Sequence, residues 1–325
     1  MQKLTIIVPV CNEEGNIHAL LLALESVLKT VPKIEYEILF VDDGSTDETV
    51  PVIMSHCSDN PNIFYISLSR NFGKDSALIA GIKHARFDAA ITIDADLQHP
   101  PALIPEFVKW WRQGYDVVYT FRKEENEHTG FVNRLRSKLF YKAINAFSDV
   151  PMEDGISDFK LIDRKVINVI NKLQEDKPFL RGIIKWVGFK QKAIEYIPNE
   201  RHSGTTKYTF SNLIKLATQS LTSFSTKPLT LAIYLGFMFS AGSLLYIPYI
   251  FISLHYHWTR PGWASVIFTI AFFDGLQLMI MGIIGLYLGK AFIQSKKRPR
   301  YIIQDANFSH EGINENERLE SQYNM

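Results

Sequence analysis

The sequence predicts an α/β head built on a mainly parallel sheet, then an amphipathic helix, then a hairpin of two membrane-spanning helices. Three observations predict it. Short β-rich runs alternate with helical patterns through the first part of the chain. Acidic and amide side chains gather just past the carboxyl end of each of those runs. Residues 229–289 carry only Arg260 and Asp274 as formal charges, whereas everything before them is mixed and polar.

The elements follow in order. Leu4 to Val10 (LTIIVPV) reads as a strand and leads into a helix over Ile17 to Lys29. Tyr36 to Val41 (YEILFV) leads into a helix from Asp47, with Asp47 as its N-cap and Gly44 in the turn before it. Ile63 to Leu68 (IFYISL) leads into a helix over Ser76 to Ala85, and Ala89 to Ile93 (AAITI) is the fourth strand. A βαβα order with a parallel sheet puts helices on both faces.

Composition sets outer bounds. A chain of 325 residues allows about two folding units. With 46% hydrophobic and 21% charged residues it is neither disordered nor a small disulfide scaffold. Basic and acidic residues number 35 and 34, so no basic excess points to nucleic acid. Cys11 and Cys57 alone speak for a reduced, cytosolic head and against a zinc cluster.

Residues 229–254 have no charge and, at about 1.5 Å per residue, exceed a hydrocarbon core of roughly 30 Å. Residues 263–289 form a second such run. Tyr256, Trp258 and Trp263 flank the short loop between them, where an aromatic belt would sit. Lys207, Lys215 and Lys227 precede the first span, and Lys290, Lys296, Lys297, Arg298 and Arg300 follow the second. The intervening loop has Arg260 alone, so the positive-inside rule puts the head and both termini on the cytoplasmic side of a plasma membrane. The apolar run Leu4 to Val10 is too short for a signal peptide.

Just before the first span, Phe210, Leu213, Ile214, Ala217, Leu221 and Phe224 share one helical face. That helix either packs on the head or lies in the membrane interface. The expected division is a head over 1–208, the amphipathic helix over 209–227, the hairpin over 228–290 and a basic tail over 291–325 that frays after Asn307. Asp274, with Gln277 one turn on, is expected to be paired or buried. Gly282, Gly285 and Gly289 offer small-residue contacts for helix or subunit packing, and hence a homo-oligomer.

The polar chemistry lies at the strand ends. Asn12 and Glu13 follow the first, Asp42 and Asp43 the second, and Arg70, Asn71, Gly73 and Lys74 the third. Asp94, Asp96, Gln98 and His99 follow the fourth. Open α/β sheets bind ligands in that crevice. Neither a G-x-G-x-x-G after the first strand nor a G-x-x-x-x-G-K-[ST] occurs, which disfavours a dinucleotide dehydrogenase and a P-loop NTPase. In Asp94-Ala95-Asp96-Leu97-Gln98, alternate positions offer only hard oxygen donors, which suit Mg²⁺ or Mn²⁺ that also takes phosphate oxygens.

The segments PVCNEEGNI, FVDDGSTDET, SRNFGKDSALIAGI, DADLQHPP, DGISDFKLIDR and ERHSGTTKYTF occur in that order, and RPRYIIQDAN follows the apolar runs. Together they resemble the family-2 glycosyltransferases of the polyprenyl-phosphate class, to which dolichyl-phosphate mannose synthases and bactoprenol glucosyltransferases belong. The nearest likeness is to Gram-positive stress-associated membrane glycosyltransferases. The resemblance implies a GT-A (Rossmann-like) fold and inverting transfer of a sugar from a nucleotide sugar to a lipid phosphate. It favours glucose or N-acetylglucosamine, a UDP donor and undecaprenyl phosphate as acceptor. A separate flippase and a downstream glycosyltransferase would then use the product.

The resemblance also implies roles. Pro9, Cys11, Glu13, Val41 and Asp43 would form the pocket for the base. The family carries an aromatic residue at position 11; read alone, Cys11 is a small buried filler. Val41 and Asp43 share a strand face, which favours Asp43 over Asp42. Asp94, Asp96 and Gln98 would bind the metal, with Asp94 and Ala95 beside the nucleotide. Arg122, Arg201 and Lys207 would grip donor or acceptor phosphates, and Arg134, Arg136 and Ser137 the acceptor phosphate. Asp96 and Asp158 would be catalytic, Asp158 either as a base or as an orienting group, since a phosphate acceptor is already ionised with a second pKa of about 6. Two other readings remain: a processive polysaccharide synthase, and a membrane scaffold that binds lipid phosphate for a flippase without transferring a sugar.

Overall fold

In a computed structural model, the described residues are 1–122, 156–173, 175, 179–197, 225–244, 248, 252, 255–256 and 262–308. They belong to two compact units, one drawn from 1–129, 153–207 and 299–325, the other from 130–152 and 208–298.

The first unit holds one mixed sheet. Its strands are β1 (Gln2–Val10), β2 (Ile34–Asp42), β3 (Ile63–Leu68), β4 (Ala89–Thr92), β5 (Val117–Arg122), β6 (Ile156–Asp163), β7 (Gln191–Tyr196) and β8 (Ile303–Ala306). Their spatial order is β7-β5-β6-β4-β1-β2-β3-β8. β4, β1, β2 and β3 run parallel, as do β5 and β7, while β6 and β8 run antiparallel to their neighbours. Central β1 is buried from Leu4 to Val10, and apolar there except for Thr5, because both of its faces are covered. On one face Leu4, Ile6 and Val8 pack with Leu20 and Leu24 of α1 (Ile17–Leu28) and Phe107 of α2 (Ile104–Arg112). On the other lies α3 (Lys74–His84), whose Gly81 is dictated by contact: a Cβ there would stand 2.3 Å from Ile7 Cγ2.

Two boundaries differ from expectation. The helix after β2, α4 (Thr49–Asp59), starts two residues past Asp47. Asp47 sits just outside it and accepts from the Thr49 amide at 3.1 Å and the Thr49 hydroxyl at 2.6 Å, so it caps from one position further out than predicted. α3 starts at Lys74 rather than Ser76. α5 (Arg164–Ile170) and α6 (Leu180–Trp186) complete the described helices of this unit. β8 is a strand that the hydropathy pattern did not suggest; Tyr65 Oη donates to Asp305 at 2.6 Å and the Tyr65 amide to Asn307 at 2.8 Å, which anchors it on β3.

The second unit contains α7 (Lys227–Leu244) and α8 (Trp263–Ser295). α8 is 33 residues, about 50 Å at 1.5 Å per residue, and its stretch Phe272–Ser295 is long, apolar and unburied enough to cross a membrane. α7 has a shorter apolar stretch, Leu229–Phe239. Within 245–254 only positions 248 and 252 are described, both helical. The two helices are antiparallel neighbours: Tyr287 Oη donates to the Ser225 carbonyl at 2.7 Å, and Phe239 meets Phe273 and Phe272 edge-on at 5.5 and 6.1 Å. Asp274, expected to be paired or buried, is exposed, because Phe273 faces α7 and the next residue is turned away from it.

Candidate active site

Parallel strands end together. The residues after β1, β2, β3 and β4 therefore meet at one edge, and antiparallel β6 brings its first residues, Ser157 and Asp158, to the same edge. Most of the charged groups at that edge come from segments far apart in sequence.

The paired aspartates after β2 shape the loops. Asp42 accepts from the Ser45 amide at 3.0 Å and the Ser67 hydroxyl at 2.9 Å. Asp43 accepts from the amides of Phe72 at 2.7 Å and Gly73 at 3.0 Å. Burial pushes the Asp43 carboxyl up, and those two amides restrain the rise. The Asp42-Asp43-Gly44 turn and the Arg70-Asn71 loop touch backbone to backbone: Gly44 has φ +70°, and a Cβ on it would meet the Arg70 carbonyl carbon at 2.5 Å. Pro9 and Val41 are buried beside this turn and Glu13 is half-buried. Cys11 is half-buried rather than a buried filler, because Asn71 Nδ2 donates to its sulfur at 3.4 Å and holds it at the loop.

The D-A-D-L-Q segment turns sharply. Leu97 has φ +60°, a left-handed conformation that costs a bulky residue about 1 kcal/mol or more. The Gln98 amide donates to Asp96 Oδ1 at 3.1 Å, and Ala95 is buried beneath. Among the described residues no third His, Cys, Asp or Glu joins Asp94 and Asp96 in a metal-holding group. Two carboxylates and an amide oxygen on a tight turn fit an ion of the Mg²⁺ or Mn²⁺ type, which takes one or two carboxylates and completes its shell with water and phosphate oxygens.

Beside it is a charge cluster. Lys74 Nζ lies 2.7 and 2.8 Å from the two oxygens of Asp94 and 2.8 Å from Asp158 Oδ2. Arg181 grips Asp158 with two bonds of 2.8 Å, one from Nε and one from Nη2. Lys160 Nζ stands 3.8 Å from Asp158 Oδ1. Burial alone would push the Asp158 carboxyl up, but Lys74 and Arg181 outweigh it and hold it well below the usual carboxylate range. A carboxylate held this way is a poor proton acceptor. Burial pulls fully enclosed Lys160 down to about 8, Asp158 opposing. Burial and the Asp158 charge raise Asp75 to about 6.

His99 ties the two parts together. The Asp94 amide lies 3.4 Å from its Nδ1, and its Nε2 is 2.6 Å from Ser157 Oγ, which also accepts from the Phe159 amide. That network assigns the acceptor role to Nδ1 and the proton to Nε2. Burial pulls the His99 pKa down, which keeps the ring neutral at physiological pH.

The edge thus brings together Pro9, Cys11, Glu13, Val41, Asp43, Asp94, Ala95, Asp96, Gln98 and Asp158. Arg122 is the last residue of β5, paired in register with Tyr196. Arg134, Arg136, Ser137, Arg201, Lys207 and the 210–224 face lie outside the described residues. Sequence reasoning missed Arg181, Lys160, Asp75 and Ser157, and noted Lys74 and His99 without roles. For Arg181 no local signal exists. Lys160 carried one: a lysine inside an apolar strand, two residues from a predicted site aspartate, must be buried and therefore paired.

A sugar-transferase head is what such an edge describes, and the chain belongs to the glycosyl transferase family 2, whose model matches residues 5–170. It is a glycosyltransferase, and its mixed α/β head is GT-A-like. Over 92% of this chain and 93% of its own length, the uncharacterized glycosyltransferase YkcC of Bacillus subtilis is 40% identical. The putative glycosyltransferase CsbB of the same organism is 38% identical over 98% of this chain and 96% of its own. The bactoprenol glucosyl transferase of Shigella phage SfV is 37% identical over 93% and 98%. Among solved structures, the mannosyltransferase PcManGT of Pyrobaculum calidifontis, in complex with GDP-Man and Mn²⁺, aligns at 18% identity over 68% of this chain and 62% of its own, with a TM-score of 0.46.

Proposed function

We propose that this glycosyltransferase moves a hexose, glucose or N-acetylglucosamine, from a UDP-linked donor to undecaprenyl phosphate with inversion. The observation that carries the reading is the meeting of Asp94 and Asp96 with Lys74 and Arg181 at one sheet edge, in a chain 37% identical to a bactoprenol glucosyl transferase. Asp94, Asp96 and Gln98 would hold a Mg²⁺ or Mn²⁺ ion, whose chemistry, when bound, is to neutralise charge on the departing diphosphate. Asp43, with Pro9, Cys11, Glu13 and Val41, would receive the base. Asp158 orients: ionised and gripped by three cations, it fixes Lys74 and Arg181 where phosphate charge develops. No base is needed for an acceptor phosphate that is already ionised. Arg122, Arg134, Arg136, Ser137, Arg201 and Lys207 supply the remaining phosphate contacts.

The length and exposure of Phe272–Ser295 support membrane attachment, and the antiparallel contact of α7 and α8 supports a hairpin. The head would then face the cytoplasm, where nucleotide sugars are made, and the product would need a flippase and a second transferase on the far side. Purified protein with UDP-[¹⁴C]glucose or UDP-[¹⁴C]N-acetylglucosamine, Mn²⁺ and undecaprenyl phosphate should move label into the lipid phase. Asp96→Ala should lower that transfer at least about a thousandfold. Full transfer in EDTA would remove the metal assignment. Single cysteines at 309 and 259 report topology: the first should label only after permeabilisation, the second from outside, and the reverse pattern would invert the head.

A further inference from the structure

We propose that Lys74 is a built-in counter-cation for Asp94, which keeps a free divalent ion out and admits one only together with a nucleotide diphosphate. The inference rests on the metal reading above and concerns the order in which that site fills.

The geometry is specific. Lys74 Nζ takes both oxygens of Asp94, at 2.7 and 2.8 Å, and so occupies a lone-pair site on each oxygen that an ion would approach. Two cations on one carboxylate repel strongly at that distance. A divalent ion arriving alone must therefore displace the ammonium from Asp94 and leave it with Asp158 alone. A diphosphate changes this, because it offers the ammonium new anionic oxygens beside the ion. Its stem is open to solvent, the side chain being 44% exposed, although its tip is enclosed by carboxylates. Throughout the exchange its second partner, Asp158 Oδ2 at 2.8 Å, stays in place, fixed by Arg181.

The nucleotide has a route to this switch. Gly73, the residue before Lys74, donates its amide to Asp43, the carboxylate expected to meet the base. Phe72 does the same at 2.7 Å. The loop that leads into Lys74 is therefore moored on the base pocket, and occupation of that pocket would act on Lys74 through a single peptide.

The test titrates Mn²⁺ against the purified full chain by electron paramagnetic resonance, without and with UDP. Wild type should bind Mn²⁺ weakly alone and firmly with UDP. Lys74→Met, which keeps the stem and removes the charge, should bind Mn²⁺ alone at least about tenfold more tightly. Adding Asp94→Asn should cancel that gain, and Lys74→Arg should stay like wild type. Arg181 and Lys160 remain on Asp158 in every variant, and circular dichroism melts check that each is folded. If Lys74→Met binds Mn²⁺ alone no better than wild type, while UDP still recruits Mn²⁺ to both through Asp94, the counter-cation role is wrong and the metal site stands. If no variant binds Mn²⁺ even with UDP, the metal reading falls and this inference with it.

Discussion

Two buried carboxylates in the same sheet are each held by an arginine through two bonds, yet only one belongs to the site. Glu37, in the middle of β2, accepts from Arg86 Nε at 3.0 Å and Nη2 at 2.5 Å, and from the Thr5 hydroxyl at 2.6 Å on the neighbouring strand. It also accepts from the Arg86 amide at 3.4 Å, so the hydrogen bonds come from one arginine and one hydroxyl. Asp158, at the strand edge, has Arg181, Lys74 and Lys160 around it. Those cations are shared with Asp94 and Asp75, so a change at one group is felt at the others. A closed pair holds strands together; a shared, open-ended cluster can exchange partners when phosphate arrives. Burial and bidentate geometry are common to both; what differs is that the cations at Asp158 are shared with other acids.

The comparison can be broken at several points. The largest effect should come from Asp158→Asn, which removes the anchor of three cations: kcat should fall about a hundredfold to a thousandfold, with donor binding retained by fluorescence titration. Loss of donor binding instead would move Asp158 into the nucleotide pocket. Arg181→Lys keeps charge but loses the two-pronged grip, and should cost roughly tenfold in kcat with little change in melting temperature. Glu37→Gln should do the opposite. Activity per folded molecule should hold, while denaturant unfolding shows a loss of about 1–3 kcal/mol, limited because Arg86 is 49% exposed and can turn to water.

The smallest effect separates the cluster by pH. Asp75 titrates at about 6 in the folded chain, raised first by burial and then by Asp158. Its unfolded value is about 3.9, so between these values the folded state holds the extra proton and stability falls as pH rises. Asp75→Asn removes that penalty. It should be more stable than wild type at pH 7 by ~1–2 kcal/mol, less than the full shift because the site is partly solvated. The gain should fade as pH drops from about 6 towards about 4. A gain that persisted at low pH would show that the Asp75 charge is not its cause.

Much of this site was legible because much of it is local. β1 to β4 declared themselves by apolar runs, and Asp43, Asp94 and Asp96 by following those runs directly. Strand alternation puts Asp43 and Asp42 on opposite faces, and they take different partners: the Phe72 and Gly73 amides for Asp43, the Ser45 amide and Ser67 hydroxyl for Asp42. What escaped depends on contacts between distant segments. Lys74 reaches Asp158 across 84 positions, and neither neighbourhood announces the other. The antiparallel reversal at β6, which brings Asp158 to the edge, is not encoded in periodicity. Helix starts moved by two residues, earlier at Lys74 because Gly73 makes the turn at φ +98°, and later at Thr49 because Asp47 accepts from the Thr49 amide and hydroxyl outside the helix. Asp274 was expected to be paired or buried, and among the described residues it is exposed, next to the Phe273 that meets Phe239 of α7.

The return of β8 to the sheet gives the chain a timetable. Tyr65 and its partner Asp305 are 240 residues apart. At about 5–20 residues per second, the free edge of β3 waits on the order of ten seconds to a minute for the strand that covers it. In that interval both apolar helices leave the ribosome and must be accepted by their surroundings. An uncovered strand edge invites pairing with other chains. A chain ending inside α8 would therefore leave the β3 edge uncovered. Closure of the sheet by Ile303–Ala306 marks the moment when the apolar helices have already been made.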